Sequence, residues 1–379
     1  MNNYAVYKAD NYDDIYPIIE KHFEAHNIRS ELSDKTKVLI KPNLVTDKEA
    51  VFSVTTNPYF LLAIIKYLKN IGVKNIVVAD CPGGGLLFFS KMQDVYKKCG
   101  YDILAEFAEL NVDFESVDVQ CSPNFENKQF NILKVIADAD YIINAPKLKT
   151  HNATCITAAV KNIFGCIPGL QKPEFHAKYP KTDDFCNMLV ELAATVKPNF
   201  TIVDAVDIME GNGPTNGKKR FLGLTFSSKD VFGLDKFIAE FLDIPSDLIG
   251  TIRASEKKNF IADKFDTTGD LDFKIINPLV LPELVCAESF DKKVFARIKT
   301  LFSKIDDAVF ISHPSMNKAC VLCRKCIVSC PQKALSIIDR KIILNKKLCI
   351  GCMCCDEVCP NGAVDLKKSI RCLVKRGDI

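Results

Sequence analysis

Cys320-Val321-Leu322-Cys323-Arg324-Lys325-Cys326-Ile327-Val328-Ser329-Cys330-Pro331 is followed, 29 residues on, by Cys349-Ile350-Gly351-Cys352-Met353-Cys354-Cys355-Asp356-Glu357-Val358-Cys359-Pro360. Both read C-x2-C-x2-C-x3-C-P, and every cysteine of the first copy has its counterpart in the second, so the stretch is an internal duplication. Three thiolates this closely spaced take three corners of one [4Fe-4S] cube, while the fourth cysteine crosses to the other cube. On that reading Cys320, Cys323, Cys326 and Cys359 hold one cluster. Cys349, Cys352, Cys355 and Cys330 hold the second. The proline after each fourth cysteine turns the chain and offers no N–H to a helix.

The spacing is similar to that of bacterial-type two-cluster ferredoxins, which implies a small C-terminal α+β domain with two [4Fe-4S] clusters. Structural zinc usually takes two C-x2-C pairs without a third cysteine two residues further on. Disulfides would need an oxidising compartment. Cys354 and Cys372 are surplus to the ligand set and are read as packed or free thiols.

Outward from this stretch, the chain of 379 residues has room for two domains and, at 48% hydrophobic, for a proper core. The N-terminus lacks a signal-peptide pattern, no apolar run approaches the roughly 18 residues of a membrane span, and seventeen cysteines fit a reducing cytoplasm. Residues 315–379 carry 13 Lys/Arg against 5 Asp/Glu, and the remainder 37 against 42. A basic small domain on an acidic body points to docking on its own N-terminal domain or to an acidic redox partner protein. A solvated lysine-rich surface is the plainer alternative. Nucleic acid is excluded as a partner, since the basic residues lie among cysteines without interleaved aromatics.

The N-terminal part alternates apolar runs at 37–41, 75–80, 141–144, 200–204 and 221–226 with amphipathic stretches at 58–70, 91–110, 183–196 and 230–242. This predicts an α/β domain over 1–285, its mostly parallel sheet covered by helices on both faces. A helical connector is expected at 286–314 and the small domain at 315–379. Cys99, Cys121, Cys186 and Cys286 are expected in the core or connector rather than in chemistry.

In such sheets the ligand site lies beyond the carboxyl ends of the strands. Those ends carry Lys41, Asp80, Lys147, Lys149, His151, Asp204, Asp207 and Glu210. His151 is the leading candidate, either as a proton donor or as a neutral metal ligand. Lys147, Lys149 and Lys161 would hold a small anionic substrate, aided by a helix expected to begin after Thr150. Asp80, Asp204, Asp207 and Glu210 offer a general base or a hard-metal site, unless the lysines pair with them instead. His176 is expected in a surface loop. Gly83-Gly84-Gly85 could cradle a phosphate or simply turn the chain, and it matches neither G-x-G-x-x-G nor a Walker loop.

KPNLV at 41–45, VTTNP at 54–58, DCPGGG at 80–85, NAPKLKTH at 144–151, AAVKNIFGCIPG at 158–169 and VDAVDIMEGNGP at 203–214 occur in that order. With SSKDVFGLD at 227–235 and CIGCMCCDEVCP at 349–360, they resemble the DUF362 family. The resemblance spans nearly the whole chain. It implies an iron–sulfur protein of redox character whose substrate or partner is unidentified. A fainter likeness to nickel-dependent lactate racemases is an analogy only. The expected function is therefore electron transfer, in which single electrons pass through two clusters to an anionic substrate in the N-terminal cleft. The alternatives are a ferredoxin-like carrier or assembly factor without chemistry of its own, and a non-redox enzyme whose clusters are structural or sensing.

Overall fold

The computed structural model describes residues 2–83, 90–169, 171–282 and 310–370. In chain order the N-terminal elements begin with β1 (Asn2–Lys8), α1 (Tyr16–Ala25), β2 (Lys37–Pro42), α2 (Pro58–Asn70), β3 (Asn75–Val78), α3 (Met92–Lys98) and β4 (Glu109–Leu110). Next come β5 (Ser116–Gln120), β6 (Gln129–Leu133), α4 (Lys134–Ala137), β7 (Tyr141–Ala145), β8 (Lys147–His151), β9 (Cys155–Thr157) and α5 (Ala159–Asn162). They end with α6 (Lys172–Lys178), α7 (Thr182–Val196), β10 (Phe200–Glu210), β11 (Lys218–Ser228), α8 (Val231–Phe241), α9 (Gly250–Lys257) and β12 (Phe265–Gly269).

Ten of these strands form one sheet, ordered β12-β1-β11-β10-β7-β2-β3-β4, with β8 on β10 and β9 on β8. The run β10-β7-β2-β3-β4 is parallel, whereas β11 is antiparallel to both β1 and β10. The architecture is thus α/β around a mostly parallel mixed sheet. Alternation along each strand feeds two cores. Val38, Ile40, Ile143 and Ile202 join Phe23, Phe60 and Ile64 on one face. Leu39, Ile142 and Val203 join Leu189, Leu234 and Ile238 on the other. Each such aliphatic or aromatic side chain, fully buried, contributes about 1.5–3 kcal/mol. Cys99 and Cys186 are buried in these cores, and Cys121 is half-buried.

Local signals set the helix starts. Asn57 accepts the Tyr59 N–H ahead of Pro58, and Asp230 accepts those of Phe232 and Gly233. After Thr150 the structure departs from expectation. A hairpin, β8 to β9, stands where a helix was predicted, with Cys155 at φ 69°. The β-branched Thr154, Ile156 and Thr157 suit a strand, and antiparallel pairing of β9 with β8 outweighs helix propensity.

The small domain comprises β13 (Phe310–Met316), α10 (Lys325–Val328), β14 (Leu335–Ile338), β15 (Lys341–Leu344), α11 (Cys354–Glu357) and β16 (Val364–Ile370). β13 pairs with β16, so this pairing takes in Phe310–Pro314 of the expected connector. The rest of the connector, with Cys286, and Cys372 lie outside the described residues. The duplication is visible in the backbone: Leu322 and Gly351, Arg324 and Met353, and Lys333 and Gly362 all have positive φ. Two amide-to-sulfur hydrogen bonds, Ala334 to Cys330 and Ala363 to Cys359, are both 3.2 Å long.

One buried polar cluster couples this fold to pH. His22 Nδ1 and His26 Nε2 share the Ser227 hydroxyl at 2.6 and 2.9 Å, and His22 Nε2 meets Thr225 Oγ1 at 2.8 Å. Burial lowers His22 well below its ordinary 6.5 and, with the nearby Lys229 charge, lowers His26 to about 4. Below pH 6.5 the unfolded chain binds these protons while the folded chain does not, so stability is lost as pH falls towards the folded values. The expected slope is about 1.4 kcal/mol per pH unit per histidine. Denaturant unfolding at pH 7 and pH 5 should show a steeper loss in the wild type than in His26→Gln. Equal slopes would remove the histidines as the cause.

Candidate functional site

The parallel register sets Lys41 and Asp80 side by side at the ends of β2 and β3. Lys41 Nζ lies 2.9 Å from Asp80 Oδ1, both side chains being buried. Asp80 also accepts the N–H groups of Leu44 at 2.7 Å and Cys81 at 2.8 Å. Gly165 lies over this pair, where an added Cβ would come within 1.9 Å of Asp80 Oδ1.

A second buried pair joins Lys147 to Asp204 at 2.8 Å, with Tyr12 donating to Asp204 at 2.8 Å and the Asn57 N–H at 2.9 Å. Lys149 donates to the Val54 carbonyl at 2.6 Å, and burial, reinforced by the Lys161 charge, lowers it to about 7. Asp207 pairs with Lys219 at 2.9 Å and Glu210 with Arg220 at 3.0 Å. The strand-end carboxylates therefore each hold a cation of their own. They do not gather into a hard-metal site, and among the described residues no three His, Cys, Asp or Glu side chains converge on a single ion.

Of the residues singled out by sequence, His151, Lys161 and Asp80 reach a common enclosed space. It is a cavity of about 60 Å³, which Asn43, Lys172 and His176 also line. Lys147, Lys149, Asp204 and Glu210 stand apart from it. His176 lies in α6, buried and stacked on Phe185 with ring centroids 4.3 Å apart, rather than in a surface loop. Burial lowers it to about 4. Gly83 spends its N–H on the Val45 carbonyl at 2.8 Å instead of on a phosphate. Gly84 and Gly85 lie outside the described residues.

His151 ends β8 with its Nδ1 accepting the Ala153 N–H at 3.0 Å. The ring is therefore neutral, with its proton on Nε2. Burial first, and then the Lys161 charge, lower its proton affinity. In this arrangement Nε2 carries the N–H, and burial disfavours the charged ring that the proton-donor reading needs. Asp235 accepts the Ala159 N–H at 2.6 Å and the Val160 N–H at 3.2 Å, and so anchors α5, which carries Lys161. Burial raises Asp235 to about 7.

The fourth wall of the cavity comes from the small domain. Glu357 Oε1 lies 3.0 Å from His151 Nε2. Oε1 has no other hydrogen-bond donor among the described residues. Burial pushes the Glu357 carboxyl up, but His151 and the Lys161 charge outweigh it and leave the group well below the usual range. Beside it, Asp356 accepts Asn152 Nδ2 and Asn216 Nδ2, each at 2.8 Å. Lys325 meets Asp47 at 3.3 Å. The basic small domain is thus seated on the strand-end cleft of its own chain.

Within that domain the cysteines surround two further cavities. Cys320, Cys323, Cys326 and Cys359 line one, and Cys330, Cys349, Cys352 and Cys355 line the other. Each set offers four thiols around one space, a donor set that fits a four-iron cube. The first set lies outward, with Cys323 and Val321 exposed. The second lies inward, and buried Cys354 lines both its cavity and the polar one.

Sequence reasoning missed Glu357, Asp356, Lys172, Asn43 and the place of Cys354. A signal was present in the repeat. The first copy has Lys325-Cys326-Ile327-Val328 where the second has Cys354-Cys355-Asp356-Glu357, so two apolar positions become acidic in one copy only.

The family model described as "Domain of unknown function (DUF362)" matches residues 38–240. The Thylakoid-associated protein sll1697 of Synechocystis is 32% identical over 244 residues, covering 64% of this chain and 73% of that protein. Hydrogenase-4 component A of Escherichia coli is 48% identical over 44 residues, 12% of this chain and 22% of that protein. The lactate racemase apoprotein from Thermoanaerobacterium thermosaccharolyticum superposes with a TM-score of 0.42 at 13% identity, covering 63% of this chain and 57% of that one. Among the described residues no helix is long and apolar enough to cross a membrane.

Proposed function

The chain belongs to the DUF362 family, and we propose that it is an iron–sulfur electron-transfer protein delivering single electrons to a small ligand in the polar cavity under its cysteine-rich cap. The observation that carries this reading is the place of Cys354, one residue thick between the inward thiol set and the cavity of His151 and Lys161. When bound, a four-iron cluster at each thiol set supplies one-electron transfer. Cys320, Cys323, Cys326 and Cys359 would hold the outward one, and Cys330, Cys349, Cys352 and Cys355 the inward one.

The remaining roles belong to the protein. The exposed rim around Cys323, beside Arg324, is where an acidic redox partner protein would dock. Capping by Asp356 and Glu357 keeps water from the inner cavity. His151 Nε2–H faces Glu357 and holds that carboxylate at the cavity wall. Lys161 Nζ is the group able to give up a proton, because burial lowers its affinity for one. The stretch shared with Hydrogenase-4 component A supports a redox setting. The cysteine content fits a reducing compartment such as the cytoplasm.

Anaerobic reconstitution should give about eight irons per chain. Cys330→Ser and Cys349→Ser should lower the same EPR signal and remove about four irons each, whereas Cys359→Ser should lower the other signal. Iron near one per chain in the wild type would overturn the proposal. Grouping of Cys330 with Cys320 in these spectra would overturn the crossed ligand sets.

A further inference from the structure

Three polar groups facing the inner cavity have no hydrogen-bond or ion-pair partner for at least one polar atom among the described residues. Lys161 is buried against the faces of Phe164 and Phe185, its Nζ 4.9 and 5.8 Å from their ring centroids. Among the described residues it makes no hydrogen bond and no ion pair. His176 is 5% exposed and stacked on Phe185, with no hydrogen-bond partner among the described residues. Asn43 is 6% exposed; its Nδ2 donates to Asn162 at 2.8 Å, while its Oδ1 accepts nothing. Asn43 Oδ1 is closed off from solvent, and a buried acceptor of this kind is normally satisfied; Lys161 and His176 face the same space.

Their chemistry describes what would satisfy them. Asp80 is already neutralised by Lys41. Lys161 and Lys172 then stand against Glu357 alone, an excess of one positive charge. Among the described residues Lys172 has carbonyl partners only, those of Cys81 and Pro82. An anion of charge −1 balances this site, and a dianion does not. Lys161, Lys172 and His176 offer N–H donors, whereas Asn43 Oδ1 needs a donor in return. About 60 Å³ of space has room for roughly four to six non-hydrogen atoms.

We infer that the inner cavity binds a small monocarboxylate carrying a neighbouring hydroxyl, with the carboxylate on Lys161, Lys172 and His176 and the hydroxyl on Asn43 Oδ1. This rests on the proposal that the cavity is where the electrons arrive, but the binding can be measured apart from it. Glycolate, acetate and inorganic phosphate are titrated by calorimetry into the full-length, iron-replete protein without oxygen. EPR spectra are recorded on the same samples. Glycolate should bind roughly tenfold more tightly than acetate, the difference one hydrogen bond makes. Phosphate should bind more weakly than either.

His176→Phe keeps the ring stacked on Phe185 and breaks no hydrogen bond to the protein, so it should fold. It and Lys161→Met should each weaken glycolate binding roughly tenfold or more at unchanged iron content. The inference is overturned if glycolate fails to bind at millimolar concentration, if phosphate binds best, or if His176→Phe leaves affinity unchanged. Glycolate binding that leaves every EPR signal untouched would uphold the ligand class while overturning the electron-transfer reading of the cavity.

Discussion

Lys41→Met is expected to lower the unfolding free energy of the large domain by about 3–5 kcal/mol, because it leaves a buried carboxylate without its counter-charge. Asp80 is 2% exposed, and its oxygens are committed to Lys41 and to the N–H groups of Leu44 and Cys81. Those two amides keep the carboxylate in place after the lysine is gone. Gly165 overhead leaves little room for the site to relax. Adding Asp80→Asn to Lys41→Met removes the stranded charge while keeping an acceptor oxygen, so the double variant should recover more than half of the loss. Denaturant unfolding of the four proteins of this cycle gives the coupling directly. A loss under 1 kcal/mol for Lys41→Met would mean that the pair is not insulated from water.

Asp356→Ala is expected to release the small domain from the cleft. The carboxylate accepts two amide hydrogen bonds, from Asn152 and Asn216, at 2.8 Å each. Burial pushes the Asp356 carboxyl up to about 7, so at pH 8, where it is largely ionised, hydrogen bonds to it contribute about 1.5–3 kcal/mol apiece. Losing both should shift the docked equilibrium about a hundredfold or more. The pair of Lys325 with Asp47 at 3.3 Å, largely shielded from solvent, is left in place and holds another part of the contact. In solution scattering the radius of gyration should rise, and the inner cavity should open to solvent. Iron content should stay unchanged, since no cysteine is touched. An unaltered radius and an unaltered rate of proteolysis between the domains would show that docking depends on other contacts.

Both predictions concern charges visible in the chain, yet neither pairing could be read there. Lys41 and Asp80 are 39 residues apart and meet only because β2 and β3 run parallel in one register. Glu210 and Asp204 look equivalent in the sequence. The structure gives Asp204 a buried lysine and Glu210 a half-buried arginine, and neither reaches the cavity. The segment after Thr150 misled for a related reason. Its antiparallel pairing with β8, itself held on β10, decides what it becomes.

What the amino-acid sequence determined by itself is local or periodic. The cysteine spacing and its repeat marked the small domain. Apolar runs located the central strands near 37–41, 75–80, 141–144 and 200–204, and amphipathic stretches located the helices at 58–70, 183–196 and 230–242. These signals survive in one dimension because thiolate spacing, capping and burial on both faces act between neighbours in the chain. Only the tertiary structure decided which polar groups found partners and which, like Lys161, His176 and Asn43 Oδ1, were left facing a common space. It alone seated Asp356 and Glu357 of the second repeat over His151. Whether a charge is satisfied depends on what the fold brings within about 3 Å of it, and such contacts join residues hundreds of positions apart.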